Sequence, residues 1–284
     1  MFHFSTANRT ISPTKLKPQF SGIIQQHLSN FAEAFLKQGW SSLVYDNRSF
    51  GSSDGTPRCQ IDPVLQVRDY YDAFDCACLQ LEVDSSKIVY WGTSFSGGNV
   101  ICAAAIDKRV KAVIAQNPFV SGEMQTAGMP DEMLSRLFQN RSAVAAGHPS
   151  AAIPVTPASR EECEGERKKN SKAVLNSLDA YEYTQLTKQY GGDWRNEITV
   201  LSMLNIMAHE PIRFVHRVSP TPLLMVLAET DETVPVSDQK EMFEAAKEPK
   251  QLHVVKGETH FGVYHGKGFE DNIKVQIDFL KKHL

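Results

Sequence analysis

The sequence has no long hydrophobic run. Its unbroken apolar stretches, such as Val100 to Ile106 and Leu223 to Ala228, fall far short of the ~20 residues a membrane-crossing helix needs. Net charge of either sign is also scarce. Thirty Lys and Arg against 33 Asp and Glu leave a formal charge of −3, whereas a nucleic-acid-binding domain usually carries a basic face. Five cysteines, Cys59, Cys76, Cys78, Cys102 and Cys163, are odd in number and lack the spacing of a disulfide framework, which points to a reducing compartment. Cys76 and Cys78 stand one residue apart on a predicted helix and so point in different directions. No second Cys/His pair follows, and no metal site is expected. The opening residues, Met1 to Ala7, show no basic segment followed by an apolar run, so no secretory leader is expected. The last residues, Lys282-His283-Leu284, only loosely resemble a Ser-Lys-Leu peroxisomal address. They read better as a helix end whose lysines suit the negative end of the dipole. A cytoplasmic location is expected, with the peroxisome as the weaker alternative.

What is present is a rhythm. Ser42 to Tyr45 is strand-like and ends in the turn-rich run Asp46 to Gly55. Val67, Tyr70, Tyr71, Phe74, Cys78 and Leu81 recur mostly at steps of three and four and predict an amphipathic helix. Lys87 to Trp91 reads as a strand, Phe95 to Ile106 as a helix of small residues and Val110 to Ala115 as another strand. After residue 217 come a strand at Pro222 to Leu227, a helix at Val236 to Ala246, a strand at Gln251 to Val255 and a closing helix marked by Ile273, Ile277, Leu280 and Leu284. Such alternation predicts a mostly parallel α/β sheet covered by helices on both faces. Residues 121–217 break the rhythm. They hold an Ala-rich stretch, a charged run from Arg160 to Asn170 and five of the eight methionines. They are read as a helical lid inserted between the two parts of the core, residues 1–120 and 218–284.

Three residues in this frame suggest chemistry. Val89 to Gly98 reads as a strand, a sharp turn holding Ser94, then a helix of small residues. A serine there sits on a strained elbow at the carboxyl edge of the sheet, beside the positive end of a helix dipole suited to a developing oxyanion. The usual pattern is Gly-x-Ser-x-Gly, and here Ser96 takes the last position, followed by Gly97. Asp231 follows the strand Leu224 to Ala228, and His260 follows the next strand, so both reach the edge where Ser94 lies. The order serine, acid, histidine is that of α/β-hydrolase triads. Ser94 is then the nucleophile, His260 its base, and Asp231 the group that orients the imidazole. Glu229 competes for the acid role, because residues i and i+2 share a strand face. Asp231 is preferred as nearer the loop and as the first residue of an Asp-x-x-Val-Pro turn. Asp46 also ends a strand, but its neighbours Arg48, Gly51 and Gly55 mark it as a structural turn residue.

Several segments together resemble a known family. The turn Tyr45 to Gly55, Ile61-Asp62-Pro63 with Gln66-Val67-Arg68-Asp69, the elbow Trp91 to Gly98, and Ser219-Pro220-Thr221-Pro222 are similar to those of the α/β-hydrolase superfamily. Within it they resemble the polyketide-transferase-type hydrolases of fungal secondary-metabolite and toxin clusters, with dienelactone-hydrolase-like relatives. The resemblance covers about Phe20 to Leu284. It implies acyl transfer or hydrolysis on a hydrophobic ester or thioester by Ser94, Asp231 and His260, without a cofactor. The implied partner is a small-molecule substrate, with no nucleic acid and no membrane span, and with room for a homodimer. It also implies an oxyanion hole from the backbone N–H groups of Phe95 and Phe20. Here the sequence departs from the family. Pro18-Gln19-Phe20-Ser21-Gly22 stands where relatives carry a His-Gly-Phe turn, and Thr10 to Lys17 is a poor strand, so a shortened N-terminal edge of the sheet is expected. Losing one oxyanion donor costs roughly 10²–10³ in rate, and a weakly active or inactive homologue serving as a binding protein is the alternative reading. A carboxylate-nucleophile enzyme is disfavoured because the elbow residue is serine.

Overall fold

The computed structural model describes residues 21–284 and, before them, the strand backbone at 3–4 and 13–16. Its centre is a seven-stranded sheet built from β1 (His3–Phe4), β2 (Pro13–Leu16), β3 (Ser41–Val44), β4 (Val89–Thr93), β5 (Ala112–Gln116), β8 (Leu223–Ala228) and β9 (Lys250–Val255). A separate two-stranded ladder pairs β6 (Ala152–Ile153) with β7 (Ile198–Thr199). The sheet order is β1-β3-β2-β4-β5-β8-β9. All its pairings are parallel except β1 with β3.

The reading of Thr10 to Lys17 as a poor strand is corrected. Pro13–Leu16 is an interior strand, paired in parallel with β3 on one side and β4 on the other. Proline fits because it is the first strand residue. The segment's weak intrinsic preference is overridden by two neighbouring backbones that need its hydrogen bonds. The N-terminal edge strand β1 spans only two residues.

The helices are α1 (Leu28–Leu36), α2 (Pro63–Cys78), α3 (Phe95–Ile106), α4 (Gly122–Thr126), α5 (Asp131–Ala145), α6 (Gly165–Asn170), α7 (Leu178–Thr187), α8 (Leu201–Met207), α9 (Val236–Ala245) and α10 (Gly266–His283). Successive strand residues send side chains to opposite faces. On one face Tyr90, Val113 and Met225 meet Tyr70 and Phe74 of α2 and Met242 of α9. On the other, Trp91, Ile114 and Leu224 meet Phe31 and Phe35 of α1 and Phe279 and Leu280 of α10. Both faces are therefore apolar, as a parallel sheet with crossover helices requires. Leu284 packs partly against this second face and continues the stripe expected for the closing helix. The α2 stripe is shorter than expected. Tyr70 and Phe74 are buried, but Cys78 is exposed and Leu81 lies beyond the helix, fully exposed.

Segment 121–217 carries helices α4 to α8 and also the small β6–β7 ladder, which its sequence did not announce. Ile198, Ile206 and Val155 from this segment pack with Phe95 and Phe119 above the carboxyl edge of the sheet. Among the described residues no helix is long and apolar enough to cross a membrane.

Candidate active site

Ser94 lies between β4 and α3 with φ 54° and ψ −124°. A side chain other than glycine rarely holds such a backbone, and strain of this kind collects at functional turns. The carbonyl of Ser94 accepts from Gly97 N–H at 2.8 Å and Phe119 N–H at 2.9 Å, and its own N–H donates to Gln116 O at 2.8 Å. The small residues around it are needed for space. A Cβ on Gly92 would stand 2.1 Å from Ser96 O, and one on Gly98 would stand 2.6 Å from Phe119 O. Ser96 is fully buried without blocking the turn. The close approaches fall on Gly92, Gly97 and Gly98, which explains why serine is tolerated at the last position of the motif.

The loops after β8 and β9 bring Asp231 and His260 to Ser94. His260 Nε2 is 3.0 Å from Ser94 Oγ, and His260 Nδ1 is 2.7 Å from Asp231 Oδ2. All three side chains are buried. Asp231 Oδ1 accepts from the N–H groups of Thr233 and Val234, each at 2.9 Å, and Oδ2 accepts from Gln239 Nε2 at 3.0 Å. A carboxylate only accepts, so His260 Nδ1 carries the hydrogen and Nε2 is left to accept from the serine hydroxyl. Glu229 takes a different place. It is bound by Lys256 Nζ at 2.6 Å and Gly257 N–H at 2.9 Å on the protein surface. Asp46 accepts from Ile24 N–H at 2.8 Å and Ser52 N–H at 2.9 Å and so organises the turn after β3. Phe95 is the first residue of α3, directly after Ser94. Phe20 lies outside the described residues.

Other residues around the site were not foreseen from the sequence. Asn117, at φ 39°, donates from Nδ2 to His260 O at 3.0 Å and accepts from Ala228 N–H at 2.8 Å. It thus ties β8 to the histidine loop. Its signal was readable, since it is a polar residue closing an apolar strand and preceding Pro118. Gln239 on α9 and Asp179 on α7 have no such signal, because each reaches the site only through tertiary contacts. Asp179 accepts from Thr259 Oγ at 2.9 Å and Phe261 N–H at 3.1 Å, and burial raises its pKa above the usual carboxylate value. Below the site, Gln116 donates to Thr93 Oγ at 3.0 Å and accepts from Gln276 at 3.1 Å, and Gln276 in turn accepts from Trp91 Nε1 at 2.7 Å. This buried polar chain holds the ends of β4 and β5 against α10.

A cavity of about 280 Å³ opens over Ser94, lined by Phe95, Phe119, Met129, Met133, Met203 and Ile206 among others. Three of the methionines counted in segment 121–217 therefore face it. Flexible thioether side chains make an adaptable apolar wall.

Comparison with known proteins agrees with this architecture. A family model described as alpha/beta hydrolase fold matches residues 21–266. A thiohydrolase of Eupenicillium brefeldianum is 32% identical over 269 residues, covering 94% of this chain and 84% of that protein. Polyketide transferase claH of Penicillium crustosum is 29% identical over 282 residues, covering 98% and 89%. The crystal structure of the alpha/beta hydrolase GrgF from Penicillium sp. sh18 superposes with a TM-score of 0.83 at 29% identity, covering 99% of this chain and 92% of that one. A parallel sheet with an elbow serine at its carboxyl edge, and a family match across most of the chain, lead to one conclusion: the chain belongs to the alpha/beta hydrolase fold family.

Proposed function

We propose that Ser94, His260 and Asp231 are a catalytic triad that moves an acyl group from a hydrophobic ester or thioester to water or to an alcohol, in secondary metabolism. The observation that carries this reading is the hydrogen-bond chain of 3.0 and 2.7 Å, with its serine end open to an apolar cavity. Ser94 Oγ attacks the carbonyl carbon while His260 Nε2 takes its proton. The carbonyl oxygen becomes an oxyanion beside the N-terminus of α3, where the Phe95 N–H is proposed to stabilise it. The intermediate collapses, His260 returns the proton to the leaving thiolate or alkoxide, and an ester on Ser94 remains. Water or an alcohol then attacks that ester, with His260 again as base. Asp231 keeps the imidazole in the tautomer this sequence needs and stabilises the imidazolium. The names of relatives, thiohydrolase and polyketide transferase, favour a thioester donor with a polyketide chain. Segment 121–217 acts as the lid, and its methionines form the acyl-facing wall of the cavity.

The test is covalent trapping. Fluorophosphonate is expected to label the wild type and Ser96→Ala but not Ser94→Ala. Mass spectrometry after incubation with acyl thioesters is expected to find the acyl group on Ser94. Labelling retained in Ser94→Ala, or lost in a folded Ser96→Ala, would show that the nucleophile lies elsewhere. A folded wild type that binds an acyl thioester but never labels would favour a binding protein instead.

A further inference from the structure

The loop that carries His260 is held from three directions. Two holds come from the core. Asn117 Nδ2 donates to His260 O at 3.0 Å, and Thr230 donates to Glu258 O from its N–H at 2.9 Å and its hydroxyl at 2.8 Å. The third hold comes from α7, within segment 121–217. Asp179 uses both carboxylate oxygens there, one for Thr259 Oγ–H and the other for Phe261 N–H, the residues on either side of His260. Thr259 Oγ also accepts from Gly262 N–H at 3.1 Å, so the carboxylate orders the whole turn. One helical turn beyond Asp179, the Tyr183 ring stacks on Phe261 at 4.6 Å between centroids and 26° between planes. The Phe261 ring meets the His260 imidazole edge-on at 4.9 Å.

An aspartate in the first turn of a helix ordinarily faces solvent and favours the helix dipole. Asp179 is instead half-buried and directed at a neighbouring loop. Desolvating a carboxylate is costly unless hydrogen bonds offset it, and here both offsetting bonds come from the two neighbours of the proposed base. We infer that Asp179 is a positioning residue for His260, so that α7 of segment 121–217 seats the base. The inference rests on the proposed role of His260. If α7 leaves its seat, Thr259 and Phe261 lose their shared acceptor and the imidazole depends on the core holds alone.

The experiment follows fluorophosphonate labelling of the intact protein, reading the maximal labelling rate and the half-saturating probe concentration separately. Asp179→Asn is expected to lower the maximal rate about 10- to 100-fold, the scale of a misplaced catalytic group. The half-saturating concentration should stay within about threefold, since the interaction is made through the base rather than with the probe. Thr259→Ser, which keeps the hydroxyl donor, should label like the wild type, and Thr259→Val should be slower. An unchanged rate in Asp179→Asn, a loss confined to half-saturation, or a Thr259→Ser variant as slow as Thr259→Val would each overturn the inference. Should Asp179→Asn not fold, the Thr259 pair decides, and equal rates for Ser and Val would overturn it. The triad reading fails separately, if His260→Ala labels as fast as the wild type.

Discussion

Asp231 and Glu229 follow the same strand two residues apart and meet opposite surroundings. Asp231 is buried, with four hydrogen bonds to its carboxylate, one of them from His260. Glu229 forms an exposed ion pair with Lys256 and accepts from the turn at Gly257. Asp231→Asn would offer the imidazole an amide in place of an acceptor and favour the wrong tautomer. It is expected to slow acyl-enzyme formation by about 10⁴, the loss seen in the serine-protease triad that serves as the general template. Glu229→Gln is expected to stay within about threefold of the wild type, because an exposed ion pair contributes little. Stopped-flow acylation of the two variants checks both, and equal losses would remove Asp231 from its proposed role. The three proposed triad residues were legible in the sequence because each lies in the turn or loop after a strand and their order is diagnostic. Asp179 and Gln239 act by holding other residues, and neither that kind of role nor its geometry leaves a chain-order pattern.

At the scale of elements, α2 shows how the turn motif near its start works. Asp62 is the N-cap, and its side chain accepts from Leu65 N–H at 3.0 Å, with Pro63 in the first helical turn. Asp69, further along the helix, pairs with Arg48 of the turn after β3, with Nε at 3.1 Å. Gln66 accepts from Asn99 of α3 at 3.0 Å, which locks α2 to the helix that follows Ser94. The turn after β3 and the start of α2, two of the segments that carry the family resemblance, are therefore tied to the helix after the elbow. Asp62→Ala removes a single capping bond and is expected to destabilise the protein by about 1 kcal/mol, read from the urea midpoint. Labelling of the folded protein should be unchanged, since Leu65 N–H is far along the chain from any proposed catalytic group.

For the molecule as a whole, acid stability turns partly on a buried histidine. His209 stacks on Phe119, with 5.9 Å between ring centroids, and burial lowers its pKa from 6.5 to about 3. Its Nε2 finds no hydrogen-bond partner among the described residues. The fold therefore holds this ring neutral, while the unfolded chain binds a proton below pH 6.5. The stabilisation is complete above pH 6.5 and is lost as pH falls toward 3, at about 1.4 kcal/mol per pH unit. His27, lowered to about 4 by burial and by nearby His265, acts in the same direction. His209→Phe keeps an aromatic ring against Phe119 and removes the titration. Its melting temperature is expected to fall less than that of the wild type between pH 7.5 and pH 5, measured by calorimetry. An equal fall in both proteins would show that His209 does not set the acid limb.

The sequence by itself determined the parallel α/β sheet, most of its strands, the elbow at Ser94 and the order in which an acid and a histidine follow it. These are local properties: period-two and period-3.6 patterning, small residues at a tight turn, and polar residues at strand ends. Tertiary structure alone decided three things. It made Pro13–Leu16 an interior strand, because two neighbouring backbones supply hydrogen bonds that residue preference does not encode. It separated Asp231 from Glu229, because which acid meets the imidazole depends on where the loops after β8 and β9 converge. It also brought Asp179 to the histidine loop from 80 residues away in the chain, and a contact at that separation is set by how α7 packs rather than by any spacing within the chain.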